Sequence, residues 1–330
     1  MTPTLRVSAA PPAWATRLLT CPHCHASLSP AAGVFTCARC GEVGHWRDGI
    51  ACFGASFDDP SVAWYESVGG TNFHERIQIP FTMSSLETPV YHAFLRVVRP
   101  SDPATVIVDL GAGDGRNTEP WLAWGYQRVI AVDAIAASLA RLRDRLGATH
   151  PEWRNRLLLV QSDLRRVPLA SGSVGLALAI EALYYLNEDY ARGLSECRRI
   201  LHSSGLLLTS ERSWEGALLT HLLYGGVPAL CRLRDNRDVW DGEPGAGVRS
   251  RCFTEEELLT ALRDAGFTPL ECKGKPALAV VLGYLRGQNR LSADDEAYLP
   301  QVRACLQTLA ERGTLRRTHV VVARPQSENG

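Results

Sequence analysis

The chain has 330 residues, and its 35 Lys and Arg are balanced by 35 Asp and Glu, leaving no formal net charge. That length suits one small module plus one large α/β domain. The neutral balance lacks the basic excess with which proteins displace counterions from phosphates, and so argues against a general nucleic-acid binder. No apolar stretch is long enough to span a bilayer, and the first 20 residues hold three prolines and two arginines with no continuous apolar run. Neither a membrane span nor a signal peptide is expected, and a cytoplasmic protein is the default. Lysine occurs only at positions 273 and 275, so arginine supplies almost all of the positive charge.

In chain order, residues 1–15 read as a loose tail. Residues 16–55 are expected to form a small ribbon organised by two C-x-x-C pairs, Cys21/Cys24 and Cys37/Cys40, with twelve residues between them. Four thiolates at this spacing complete a tetrahedral site with no open position, which is the pattern of a structural Zn2+ rather than a catalytic one. A redox pair needs one C-x-x-C beside a βαβ unit, and none surrounds these. The other six cysteines have no framework spacing and read as buried small residues in a reducing compartment. His23, His25 and His45 lie nearby, but four cysteines need no substitute.

Residues 56–100 form a cap, whose helical pattern Val90, Phe94, Leu95, Val98 ends at Pro100. Core strands are expected near 105, 127, 157, 174 and 205. The first runs Val106–Leu110 into Gly111-Ala112-Gly113-Asp114-Gly115, with Asp109 at its end. Both possible G-x-G-x-x-G frames fail, at Arg116 and Thr118. The second strand ends in Asp133, 20 residues after Gly113, and the third leads to Asp163. The fourth ends at Glu181. Residues 214–252 are an insertion after the fifth strand. Thr254 and Glu257 form a capping-box signature that opens a helix, which Gly266 closes. A second insertion, 276–316, with a helix near 293–312, precedes the last strand at Thr318–Ala323, and 326–330 is a tail.

The Asp-x-Gly-x-Gly-x-Gly turn, with carboxylates in register at the next two strand ends, resembles motif I and its successors in the class I S-adenosylmethionine-dependent methyltransferases. The resemblance covers residues 101–325. It implies an α/β, Rossmann-like, seven-stranded sheet with S-adenosyl-L-methionine at the carboxyl ends of its strands, roofed by a lid made of the cap and the two insertions. The ribbon, with its Trp46-Arg47-Asp48-Gly49-Ile50 tail, resembles the Trm112-like zinc domains fused to some bacterial methyltransferases. One relative with this layout is the 23S rRNA guanine-N1 methyltransferase family, whose second knuckle ends in C-x-x-x-H where this chain has C-x-x-C.

By this resemblance, Asp109, Gly111, Ala112, Gly113 and Gly115 would hold the methionine end. Asp133 with Ala134 would hold the ribose, and Asp163 with the Leu164 backbone the adenine. Glu181 would lie beside the transferred methyl group, as a proton acceptor or as a contact to the cofactor's ammonium. Tyr184 follows it, and Tyr65 in the cap would close over the site. The expected acceptor is a small molecule, on the neutral charge and the long lid. Ribosomal RNA is the alternative, on the ribbon. A non-catalytic cofactor-binding scaffold with a partner-docking ribbon, or a reaction other than methyl transfer, also fits these motifs.

Overall fold

The computed structural model describes residues 10–54, 60–67, 73–235, 238–241, 247–313 and 316–326. Residues 1–9 of the expected N-terminal tail and 327–330 of the C-terminal one lie outside the described residues. The rest of the N-terminal tail is not loose. Ala13–Thr16 forms a helical turn (α1), Ala15 is fully buried, and the Trp14 indole N–H donates to the Asn155 carbonyl at 2.8 Å.

Four ribbon strands follow: β1 (Leu28–Ala31), β2 (Val34–Cys37), β3 (Gly41–Arg47) and β4 (Ile50–Cys52). The cap comprises α2 (Pro60–Ser67), α3 (Phe73–Ile77) and α4 (Met83–Val97), the last capped by Thr82, whose hydroxyl accepts from the Ser85 amide. The alternating core is β5 (Val106–Leu110), α5 (Glu119–Ala123), β6 (Arg128–Asp133), α6 (Ala136–Thr149), β7 (Leu157–Gln161), β8 (Val174–Ile180), α7 (Tyr190–Ile200) and β9 (Leu201–Arg212). β9 starts four residues before the predicted position, because the His202–Gly205 segment is absorbed as an irregularity in its pairing with β8 instead of forming a turn. After it come α8 (Trp214–Asp235), a hairpin of β10 (Asp238–Asp241) and β11 (Val248–Arg251), α9 (Glu255–Asp264), β12 (Phe267–Pro276), α10 (Leu278–Gly287), α11 (Leu299–Arg312) and β13 (Arg316–Pro325). The capping box at Thr254 and Glu257 is formed at the start of α9.

The central strands run β7-β6-β5-β8-β9-β13-β12, parallel except for β13. This is the Rossmann-like sheet order expected, but it does not stop at seven strands. β4 pairs in parallel with β7 (Ile50 opposite Leu159), so the ribbon continues the sheet to eleven strands. An exposed edge on β7 would leave a row of unpaired N–H and C=O groups, and the ribbon covers it. The ribbon also shares its core with the domain: Leu19 and Phe35 pack in one cluster with Leu158, Val160 and Leu169. On the other face α4 packs with α10 and α11, through Leu86, Val90 and Leu95 against Ala279 and Leu306. Among the described residues no helix is long and apolar enough to cross a membrane.

Candidate active site

The carboxyl ends of parallel strands carry their chain crossings to helices, so a crevice opens there wherever neighbouring connections diverge. Here it is a cavity of about 460 Å3, floored by the tips of β5, β6 and β8 and roofed by α2, α3 and the start of α4. Neither insertion lines it among the described residues; only their flanking residues Arg212 and Arg317 do. The expected lid is therefore the cap alone. The second insertion backs it, with Gly283 of α10 against Met83 of α4.

One wall is built locally. Gly111 and Ala112 both donate to the Val132 carbonyl, at 2.8 and 3.0 Å, which holds the turn against β6. Gly111 has φ +77°, and a Cβ there would meet the Ala182 methyl at 2.4 Å, so both conformation and space demand glycine. At Gly113 (φ +56°) a Cβ would meet nothing within 4 Å, and the residue lines the cavity, leaving its backbone open to a ligand. Asp133 ties turn to strand: one carboxylate oxygen accepts from the Gly113 amide at 2.7 Å, the other from the Ile135 amide at 2.8 Å. Burial pushes its pKa up against those two N–H groups. Ala134, Asp163 and Leu164 also line the cavity. Asp163 is gripped by Arg165, whose guanidinium reaches it at 2.6 Å. Two of the predicted residues stand behind the wall. Asp109 is buried and accepts from the Thr118 hydroxyl at 2.6 Å, with burial raising its pKa to about 6. A Cβ on Gly115 would run into Leu142. Their work is to shape the turn.

The opposite wall is assembled from distant segments. Glu181 sits just beyond β8 with φ +54°, a strained conformation for a residue with a Cβ. Its amide is anchored by the Ser210 hydroxyl at 2.9 Å. One carboxylate oxygen accepts from Lys275 Nζ at 2.6 Å, the other from Arg116 at 3.1 Å. Burial alone would raise its pKa, but Lys275, Arg116 and Arg317 together hold it well below the usual carboxylate range. Lys275, fully buried, also donates to Glu87 at 2.8 Å, and Arg317 caps the second oxygen of Glu87. The Tyr91 ring lies under this group, 4.8 Å from Lys275 Nζ and 5.2 Å from the Arg116 guanidinium carbon. Tyr65 donates to the Tyr185 hydroxyl at 2.6 Å, and Arg212 lies over the Tyr184 ring at 4.8 Å. Tyr65, Tyr184 and Glu181 all face the cavity. Glu87, Arg116, Arg212, Lys275 and Arg317 were not predicted. Their one cue in the sequence is a lysine kept where arginine is used almost everywhere else.

In the ribbon, the sulfurs of Cys21, Cys24, Cys37 and Cys40 all lie within 4.8 Å of one another. Backbone amides of His23 and Arg39 donate to the sulfurs of Cys21 and Cys37, each at 3.4 Å. Four Zn–S bonds of about 2.3 Å in a tetrahedron place sulfurs roughly 3.8 Å apart, so the donor set fits that ion.

Residues 108–209 match the family model described as a methyltransferase domain. A protein of Mycobacterium tuberculosis described as a probable S-adenosylmethionine-dependent methyltransferase is 27% identical over 175 residues, 53% of this chain and 53% of its own length. A malonyl-[acyl-carrier protein] O-methyltransferase of Xylella fastidiosa is 34% identical over 106 residues, 32% of this chain and 34% of its own. The chain thus spans about half the length, or less, of these curated relatives. Among solved structures, a complex between the Haloferax volcanii Trm112 methyltransferase activator and a protein assigned as a methyltransferase aligns with a TM-score of 0.55 at 17% identity, covering 82% of this chain and 99% of that one. At such identity the likeness speaks for the fold. The segment with the glycine turn and the carboxylate-tipped strands is therefore the part of the chain that is similar to methyltransferase domains, and the α/β architecture around it is shared with that solved complex.

Proposed function

We propose that this chain transfers a methyl group from S-adenosyl-L-methionine to a small-molecule acceptor inside the capped cavity, and that Cys21, Cys24, Cys37 and Cys40 hold a structural Zn2+. The observation that carries this reading is one cavity with two unlike walls: a glycine turn with strand-end carboxylates on one side, a charged and aromatic wall under the cap on the other. Its volume is that of a pocket enclosing small ligands. When bound, the cofactor supplies a methyl group already made electrophilic by its sulfonium.

The chain's own residues then have few tasks. The Gly111–Gly113 backbone and Arg116 receive the methionine end, Asp133 accepts from the ribose hydroxyls, and Asp163 with the Leu164 backbone meets the adenine. Asp133 can take those bonds because each carboxylate oxygen accepts more than one. Glu181 is too firmly ionised to serve as a base; it orients, and it is placed to accept from the cofactor's ammonium. Each carboxylate lining the cavity is already bonded: Asp133 to backbone amides, Asp163 to Arg165, Glu87 and Glu181 to the cations. An acceptor must therefore arrive in its nucleophilic form or shed its proton to solvent before the cap closes. The cap excludes water while this happens.

The test incubates purified protein and methyl-labelled cofactor with lysate separated into RNA, protein and small molecules. Label in the small-molecule fraction is expected. Label in RNA overturns the acceptor class, and tight cofactor binding with no label in any fraction favours a scaffold. For the ribbon, elemental analysis should find about one zinc per chain. Cys21→Ser with Cys37→Ser should abolish it, and retention of zinc by that variant would refute the assignment.

A further inference from the structure

Lys275 stands behind the cavity, not in it. Its side chain is fully buried and, among the described residues, it does not belong to the lining. Both carboxylates it bonds do line the cavity: Glu87 on α4, 2.8 Å from Nζ, and Glu181 at the β8 tip, 2.6 Å away. One ammonium thus joins the cap to the floor. Stability alone does not account for a lysine here. Taking charges out of water costs so much that well-packed apolar residues often serve a fold as well as a buried ion pair does. The contacts show what the ammonium does to Glu181. It takes Oε1, and Arg116 makes one contact with Oε2 at 3.1 Å, longer than a charge-assisted hydrogen bond usually is. Without Lys275, the Arg116 fork would be free to close on both oxygens, and the two charges would satisfy each other. Held as they are, an anion and a cation that both line the cavity stay side by side, and the contact uses one of five guanidinium N–H donors. Such a pair matches an amino-acid end, which carries a carboxylate and an ammonium. The backbone agrees. Glu181 has φ +54°, a conformation that persists only where the surroundings over-determine it, and Lys275 and the Ser210 hydroxyl hold the residue at both ends.

We infer that Lys275 is a positioning residue for the cofactor: touching no ligand itself, it holds Glu181 so that Glu181 and Arg116 together receive the amino-acid end. The inference rests on the methyltransferase reading and adds to that site a residue outside the cavity. It assigns Lys275 to recognition of the charged end alone. The nucleoside, expected at Asp133 and Asp163 on the β6 and β7 side, lies beyond its reach.

Two measurements on the full chain test this. In the first, calorimetry compares S-adenosylhomocysteine with methylthioadenosine, which keeps the nucleoside and thioether and lacks the amino-acid end. The unaltered protein should prefer S-adenosylhomocysteine by at least about tenfold. In Lys275→Gln that preference should shrink by about tenfold, while methylthioadenosine binds within about twofold of its original affinity. Equal weakening of both ligands would mean that Lys275 only supports the fold. That result, an unchanged preference in the variant, or no preference in the unaltered protein overturns the inference. The second measurement needs no substitution and stays decisive if Lys275→Gln does not fold. Lysine occurs only at 273 and 275, so isotopic labelling of lysine nitrogen gives two side-chain ammonium resonances, with the part-exposed Lys273 as internal control. The Lys275 resonance should move when S-adenosylhomocysteine binds and stay in place with methylthioadenosine. No movement with the first ligand, or equal movement with both, overturns the inference. Failure of both ligands to bind the unaltered protein would instead strike the methyltransferase reading itself.

Discussion

The two walls of the cavity are made in different ways. The wall proposed to meet the cofactor comes from residues 109–164, each carboxylate at or just past a strand end, held largely by backbone groups. The wall proposed to face the acceptor joins Glu87, Arg116, Glu181, Arg212, Lys275 and Arg317, and one of its ion pairs closes a separation of 230 residues. Local construction makes the first wall tolerant of losing a carboxylate, since a backbone turn survives the loss of a side chain, though not of gaining one at Gly111. The second is a network of buried charges, in which every member depends on the others. Binding chemistry and fold stability should therefore separate cleanly in one wall and be entangled in the other.

The largest effect should come from Lys275→Met. It leaves Glu87 and Glu181 with one guanidinium each and with one carboxylate oxygen each unpaired in the interior, and breaking a buried pair costs up to about 3–5 kcal/mol. Chemical denaturation would show it as a lowered midpoint, and an unchanged midpoint would mean that the two carboxylates relax to water. Asp133→Ala, in the other wall, should weaken S-adenosylhomocysteine binding by about 1–3 kcal/mol while shifting stability far less. Unchanged affinity in a calorimetric titration would remove Asp133 from the cofactor contacts.

Glu211 and Glu181 sharpen the contrast on the acceptor side. Glu211 is fully buried and, with no cation bonded to it among the described contacts, burial raises its pKa to about 8 despite the Thr209 and Tyr190 hydroxyls. Its folded-state pKa lies above its unfolded one, so its contribution is fully present below the ordinary glutamate range and is lost as pH rises through about 8. Over that window it should reduce stability by about 1.4 kcal/mol per pH unit. Glu211→Gln should flatten the slope, as measured by denaturation at several pH values; an identical slope would place the titration elsewhere. The smallest effect is expected from Tyr65→Phe, which removes one hydrogen bond worth about 0.5–1.5 kcal/mol. Acceptor KM should rise by less than about tenfold with little change in kcat if Tyr65 only closes the site. Collapse of kcat would mean that the Tyr65 hydroxyl acts in the methyl-transfer step itself, beyond closing the site.

Much of this molecule is legible before folding. Apolar runs ending in Asp133 or leading to Asp163 announce buried parallel strands, because such strands are covered on both faces and need no alternation. Gly111 is readable because it opens the Gly-x-Gly-x-Gly turn after an apolar strand; that the Ala182 methyl leaves no room for a side chain there is visible only after folding. Two knuckles of cysteine suffice to locate the ribbon. The Glu181 environment is not legible, since no local pattern says that Lys275 on β12 will be its partner. The lid was misjudged for the same reason. Insertion length says nothing of direction, and among the described residues neither insertion lines the cavity.

What the sequence by itself determined is the chemistry carried by short-range pattern: strands, turn, capping box, four thiols and the carboxylates in register with them. The tertiary structure alone decided that the ribbon extends the sheet instead of standing apart, because only the finished β7 edge presents unpaired backbone groups for β4 to meet. It alone decided the charge of the acceptor wall as well. A buried cation is tolerated only where folding delivers its carboxylates, and those arrive here from α4 and from the tip of β8.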